Sequence, residues 1–250
     1  MKVVRYGIPR LYVPEGLAPG AHFELPEAAA HHAANVLRLR EGEAIVLFDG
    51  TGGEWRASIS TIARRLVRVA VEGHDLVERE SPLPVTLVQA LSSAERMDYT
   101  VQKAVELGVA AIEVVVGDKS VARLSGERAD HRADHWRRIA LAACEQCGRN
   151  RIPSIAAPVA FSSWQRQRRA EPLKLLASPG ATRSLREVLA SGPSSVVVAV
   201  GPEAGFSERE EAAMDAAGFE RIHLGPRILR TETVAPAILA AINALAGDWR

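Results

Sequence analysis

The sequence predicts an α/β protein of two parts: a small, mostly β domain followed by a mainly parallel sheet with helices on both faces. Three observations carry this. Short segments of alternating apolar residues crowd the first third of the chain. Beyond Pro84, apolar strand runs alternate with helical stripes, which is the pattern of repeated strand–helix units. The stretch Ser81-Pro82-Leu83-Pro84 separates the two regimes. With 250 residues, 47% of them apolar, the chain can bury one large core or two ordinary ones.

In the first part, Leu11-Tyr12-Val13 reads as a strand, and Ala44 to Phe48 as another closed by the turn signal Asp49-Gly50-Thr51-Gly52-Gly53. Trp55 to Ile62 and Leu66 to Val71 alternate like strands of a small barrel. One helix fits between Pro26 and Leu37, since proline is permitted in or just before a first turn.

In the second part, Val85 to Ala90 is a strand, and Met97, Val101, Ala104, Val105 and Gly108 follow at helical spacing. Ala111 to Val116, apolar except for Glu113, reads as a buried parallel strand. Trp136, Ile139, Ala140, Ala143, Cys144 and Cys147 share a helical stripe. Leu173 to Ala177 is a strand and Ser184 to Leu189 a short helix; Ser194 to Val200 is the most strand-like run of all. Ser207-Glu208-Arg209-Glu210 has the form of a capping box opening a helix. Phe219 to Leu224 is the last strand, and Val234, Ile238, Ala241, Ile242 and Leu245 mark a final amphipathic helix.

Composition excludes several classes. The 31 Lys+Arg balance 30 Asp+Glu, so neither a disordered chain nor a generally basic nucleic-acid binder is indicated. No apolar run approaches the roughly 20 residues of a membrane helix, and the first residues lack the apolar region of a secretory signal. Two cysteines make no disulfide scaffold and suit a reducing cytoplasm. Cys144 and Cys147 form a CxxC, but both lie on the apolar stripe and no second pair matches them, so buried thiols are expected over a redox or metal site. His31-His32 point about 100° apart on a helix and would not share an ion. No metal motif, phosphate loop, nucleophile elbow or dinucleotide fingerprint occurs.

Two strand-end stretches carry the chemistry. Gly201-Pro202-Glu203-Ala204-Gly205-Phe206 follows the strand ending at Val200, where parallel sheets bind ligands. Leu224-Gly225-Pro226-Arg227-Ile228-Leu229-Arg230-Thr231-Glu232-Thr233 leads into the last helix. It sets Ile228-Leu229, suited to wall an adenine, among two arginines, a carboxylate and two hydroxyls. Thr231 or Thr233 would cap that helix, with Pro236 in its first turn. From Arg137 to Arg169, seven arginines face the single carboxylate of Glu145, a local island of charge suited to phosphate.

These stretches, with Arg96-Met97-Asp98-Tyr99, Gln102 to Gly108, Glu145-Gln146-Cys147-Gly148-Arg149, Ile8 to Val13 and His31-His32 with Val36-Leu37-Arg38, resemble the RsmE family. Members of that family are bacterial methyltransferases that make N3-methyluridine in 16S ribosomal RNA, within the knotted SPOUT class. The chain departs from the family pattern at Ala204, where a second glycine is usual, at Val234, where alanine is usual, and in the turn Ser92-Ser93-Ala94-Glu95.

The resemblance implies a PUA-like, RNA-binding β-barrel over residues 1–78 and a SPOUT domain with a C-terminal trefoil knot over 79–250. It implies S-adenosylmethionine as methyl donor, no metal, and a cytoplasmic homodimer acting on 16S ribosomal RNA, within the small ribosomal subunit and away from membranes. The donor would be held by Leu176, Ala177, Ser178, Gly201, Pro202, Glu203, Gly205, Leu224, Gly225, Ile228 and Leu229. Arg230 would stabilise the uracil anion, with Glu232 and Glu203 as base or as groups orienting Arg230. Arg10, His32, Arg38, Arg149 and Arg151 would grip RNA phosphates. The competing readings are a SPOUT enzyme with another RNA target and a non-catalytic RNA-binding assembly factor.

Overall fold

A computed structural model describes residues 7–63, 66–120, 126–166 and 173–249 of the chain. It divides into two compact units: Met1–Glu80 with Leu141–Ile152, and Ser81–Ala140 with Pro153–Arg250. A cut in the sequence near Pro82 leaves Leu141–Ile152 with the second part, whereas the structure packs that segment into the first.

The first unit contains β1 (Arg10–Tyr12), β2 (His22–Glu24), α1 (Glu27–His31), β3 (Ala44–Phe48), β4 (Glu54–Ala63) and β5 (Leu66–Asp75). The sheet order is β1-β3-β4-β5-β2, parallel between β1 and β3 and antiparallel elsewhere. Period-2 burial in β4 and β5 turns Ala57, Ile59, Val67, Val69 and Val71 into the core beside Leu11, Ile45 and Leu47. Ala29, Ala30 and Ala33 close the core from the helical side. The helix expected over Pro26–Leu37 is α-helical only to His31; His32–Val36 forms a wider π-helical turn. Arg38 follows with φ 54°, the one non-glycine residue in the left-handed region among the described residues.

What draws Leu141–Ile152 into this unit is polar. The buried Glu54 carboxylate lies between Arg10 Nη1 and Arg79 Nη1, each 2.8 Å away. Arg10 Nη2 donates to Asn150 Oδ1 at 2.5 Å, and Asn150 Nδ2 donates to the Val77 carbonyl at 2.6 Å. Arg149 pairs with Glu80, and Glu145 Oε1 accepts from the Tyr12 amide at 3.0 Å. Buried charges need such partners, because an unpaired one would cost several kcal/mol.

The second unit begins with β6 (Val85–Ala90), α2 (Ala94–Glu106) and β7 (Ala111–Val116). α3 (Glu127–Cys147) follows, its residues from Leu141 onward belonging to the first unit. Then come β8 (Ser154–Ile155), β9 (Val159–Ala160), α4 (Phe161–Trp164), β10 (Leu173–Ala177), β11 (Arg183–Ser184) and α5 (Leu185–Leu189). β12 (Val196–Val200), α6 (Glu208–Ala216), β13 (Glu220–His223) and α7 (Thr231–Leu245) complete it. The strands run β11-β13-β10-β12-β6-β7-β8, with β9 also on β7, and every pairing is parallel. Each residue of β12 is buried, as a central strand covered on both faces requires. Phe161, Trp164, Phe206 and Phe219 pack together over one side of this core.

The Ser207–Glu210 capping box is reciprocal, as is a second at Ser184–Glu187. The expectation for α7 needs correction. Arg230, not a threonine, is the N-cap, and it makes no side-chain cap bond. Pro236 lies in the second turn, where it cannot donate to the Glu232 carbonyl. Among the described residues no helix is long and apolar enough to cross a membrane.

Candidate active site

Because β6, β10 and β12 are parallel neighbours, their carboxyl ends share one edge of the second unit's sheet. At the end of β12 the chain turns so tightly that a Cβ on Gly201 would meet the Phe206 amide nitrogen at 3.2 Å. Gly205 has φ +69°, which glycine adopts without strain. Ala204 has no such requirement, so its methyl in place of the family's glycine introduces no backbone conflict. Lys119 Nζ donates to the Phe206 carbonyl at 3.1 Å, and Ser207 Oγ donates to Asp118 Oδ2 at 2.9 Å, tying this loop to the segment after β7.

The start of α7 is fastened to the same edge from beneath. The buried Thr231 hydroxyl donates to the Gly201 carbonyl at 2.7 Å and accepts from Gln89 Nε2 at 3.1 Å. Gln89, on β6, also donates to the Ala90 carbonyl. Three polar groups from β6, the loop after β12 and α7 therefore form one buried chain. The sequence shows each residue but not their meeting, because 142 positions separate Gln89 from Thr231.

Above this chain lies a cavity of about 450 Å³, within the usual range for small-molecule sites. Its lining includes Ala177, Pro179, Val200, Gly201, Pro202, Glu203, Gly205, Ile228, Leu229, Arg230, Thr231, Glu232 and Val234. Arg96, from the first turn of α2, completes the lining. A smaller recess of about 50 Å³ shares Ala177, Pro179, Leu229 and Val234 and adds Ser178, Ile222, Leu224, Gly225 and Arg227.

Charge is concentrated at the cavity wall. Arg96 pairs with Glu203 through Nη1, and its Nε lies 3.4 Å from Glu232 Oε1. Burial works against the Glu203 carboxylate. Its backbone hydrogen bonds and the Arg96 guanidinium outweigh that and hold it below the usual carboxylate range. The other oxygen of Glu232, Oε2, is buried without a hydrogen-bond partner. No hydrogen bond or ion pair ties the exposed Arg230 side chain to another described residue.

The structure gathers most of the predicted site. Glu203, Arg230 and Glu232 line one cavity with Ala177, Gly201, Pro202, Gly205, Ile228 and Leu229, while Ser178, Leu224 and Gly225 line the adjoining recess. Leu176 does neither: alternation along β10 turns it into the core with Val88, Val197 and Phe219. Arg96 was missing from the predicted catalytic set, although its motif at the end of β6 was visible. Both glutamates pair with Arg96, and neither makes a hydrogen bond or ion pair to Arg230.

The phosphate-gripping set divides. Arg10 is buried under its Glu54 and Asn150 contacts and lies 5.2 Å from the Phe48 ring centre; Arg149 is buried on Glu80. Both guanidinium groups are thus engaged with partners inside the first unit. Arg38 and Arg151 are exposed, the latter paired with Glu78, and the half-buried His32 places Nδ1 3.5 Å from Glu145 Oε2. Of the remaining arginine island, Arg137 binds the Ile155 carbonyl and Asp134. Arg138 and Arg166 are exposed, and Arg168 and Arg169 lie outside the described residues. Cys144 is fully buried, and burial pushes its thiol up to about 12, which makes it inert as a nucleophile. No cluster of three or more His, Cys, Asp or Glu suited to a metal occurs among the described residues.

Comparison with known proteins bears on this geometry. Residues 79–243 match an RNA methyltransferase domain, and residues 25–72 match an RNA methyltransferase PUA domain. The chain is 33% identical over 238 residues to the ribosomal RNA small subunit methyltransferase E of Buchnera aphidicola subsp. Schizaphis graminum, covering 95% of each chain. It is likewise 33% identical to the Mycobacterium bovis protein of that name, covering 87% of this chain and 84% of that one. A crystal structure of ribosomal RNA small subunit methyltransferase E from Neisseria gonorrhoeae, bound to S-adenosyl methionine, superposes with a TM-score of 0.91. That protein shares 38% identity, over 97% of this chain and all of the other.

Proposed function

This chain belongs to the ribosomal RNA small subunit methyltransferase E family, and on that premise we propose that it transfers a methyl group from S-adenosylmethionine to N3 of a uridine in 16S ribosomal RNA. The observation that carries this reading is the cavity of about 450 Å³ at the strand ends, where glycine-rich backbone, two carboxylates and two arginines meet.

The cavity fits the donor. Its volume suits a nucleoside-sized molecule, and Gly201, Pro202 and Gly205 offer backbone in place of bulky side chains. Ile228 and Leu229 give an apolar wall for the adenine. The unpartnered Oε2 of Glu232 adds an acceptor beside them. When bound, S-adenosylmethionine supplies a methyl already activated by its sulfonium.

The protein's own residues must then prepare the acceptor. Uracil N3 carries a proton at neutral pH, so that proton must leave and the resulting charge must be held. Arg230 lines the cavity with no competing ion pair among the described residues, and it is the group we assign to hold negative charge developing on the flanking carbonyl oxygens. Glu232 is the proton acceptor we assign. Glu203, already kept ionised by Arg96, is the weaker base of the two candidates.

In the first unit, Arg38, Arg151 and His32 are the groups we assign to RNA phosphates. The finer features of the family reading belong to the same proposal. They are a barrel over residues 1–78, a trefoil knot in the C-terminal part of 79–250, and a homodimer in the cytoplasm acting on the small ribosomal subunit. The non-sequential order β13-β10-β12-β6 supports the knot.

The test is labelled methyl transfer to small ribosomal subunits lacking the modification, with the product digested to nucleosides. Label in N3-methyluridine is the expected result. Label in another nucleoside would move the target, and no label on subunits that a known enzyme of this kind methylates would overturn catalysis.

A further inference from the structure

The position of Arg96 is not explained by the helix that carries it. It is the third residue of α2, where the amide dipoles leave positive potential and a cation is disfavoured. The acidic residue that suits that turn is its neighbour Glu95. What Arg96 gains lies across the cavity wall. Its Nη1 binds Glu203 on the loop after β12, and its Nε faces Glu232 in the first turn of α7 at 3.4 Å. The side chains of Arg96, Glu203 and Glu232 are 36%, 27% and 18% exposed, so water screens their charges only in part. With Arg96 removed, two carboxylates would line one cavity with no ion pair to hold either, and repulsion would act on the loop that forms the wall.

We propose that Arg96 is the positioning residue of this site: by bridging Glu203 and Glu232 it latches the 201–205 loop to the start of α7 and holds the donor cavity in its binding shape. This deepens the donor reading above and rests on it. The latch acts through the two carboxylates, so its signature is compensation and not simple loss. Arg96→Met should weaken binding because like charges are left behind. Removing one of those charges as well should recover much of what was lost. A residue that merely packed the wall would show neither the recovery nor a dependence on salt.

The experiment measures binding of S-adenosylhomocysteine by calorimetry to the wild type, Arg96→Met, Arg96→Lys, Glu203→Gln and the double variant Arg96→Met/Glu203→Gln. Amide hydrogen exchange of residues 201–206 is followed in the ligand-free proteins. The latch predicts that Arg96→Met binds about tenfold more weakly and exchanges faster. Arg96→Lys should keep binding within about threefold, and the double variant should bind better than Arg96→Met. The Arg96→Met defect should also shrink as added salt screens the two carboxylates. Binding by Arg96→Met within about twofold of wild type, or a double variant no better than it, overturns the latch. If no protein binds the ligand, yet exchange quickens in Arg96→Met and slows again in the double variant, the latch stands and the donor reading falls.

Discussion

Arg96 and Arg230 line the same cavity, yet chemistry separates them. Arg96 is committed to two carboxylates, whereas Arg230 has none among the described residues and can answer charge that appears only during reaction. Arg230→Ala should therefore lower kcat by about 10²- to 10³-fold while changing donor affinity little, as single-turnover methyl transfer and calorimetry would show. A loss confined to donor affinity would reassign it. In the first unit, burial opposes ionisation of both Glu54 and Glu145, yet their pKa values move in opposite directions. Burial opposes the Glu54 carboxylate, but Arg79 and Arg10 outweigh it and hold its pKa down. Its stabilising effect is thus present above the ordinary glutamate value and fades as pH falls through the lowered one. Glu54→Gln should cost about 3–5 kcal/mol at neutral pH, by urea unfolding, with the difference closing in acid below about pH 4.3. For Glu145, burial prevails over the Tyr12 amide and His32 and raises the pKa. Its protonated form suits the fold, so the favourable effect is lost as pH rises through the raised value. Glu145→Gln should accordingly gain stability at neutral pH, and that gain should vanish in acid.

Between residue and domain, the buried chain Gln89–Thr231–Gly201 joins a strand, a loop and a helix. Thr231→Val keeps the shape but strands the Gly201 carbonyl and one amide hydrogen of Gln89. A loss of about 1–3 kcal/mol in thermal or urea unfolding is expected, with weaker donor binding because the cavity floor loosens. Unchanged melting and affinity would show that the chain fastens nothing. The elements themselves were unevenly legible. Ala44–Phe48, Val85–Ala90, Ala111–Val116 and Leu173–Ala177 stand in the structure with the bounds read from sequence, because a short, mostly apolar run with at most two polar residues is a strong local signal. β8, β9 and β11 have two residues each, too few for any period, and exist only through pairing with longer neighbours. The strand-end loops were legible from their Gly, Pro and charged residues, whereas the Arg96–Glu203 bridge was not. It spans 107 positions, and nothing local in the sequence marks it.

The chain's two compact units are not two consecutive stretches. Glu54, Arg10 and Asn150 form one buried network, and Asn150 arrives from beyond the middle of the sequence. A fragment ending at Glu80 retains all the strands of the five-stranded sheet but leaves Arg10 without Asn150 and the Tyr12 amide without Glu145. Such a fragment should lack a cooperative thermal transition, whereas the whole chain should show one; a fragment melting like the full protein would show the returning segment to be dispensable. The same connectivity bears on how the protein is made. Ribosomes deliver the N-terminal strands first, with Glu54 among them, but Asn150, which completes the hydrogen bonding of the buried Arg10, follows only with Leu141–Ile152. At roughly 5–20 residues per second, the nascent sheet waits on the order of 4–14 s for its last partner, with one nitrogen of Arg10 still turned to water. Pausing of translation ahead of residue 141, or a chaperone engaged on the emerging sheet, would decide whether that interval ends in closure or in aggregation.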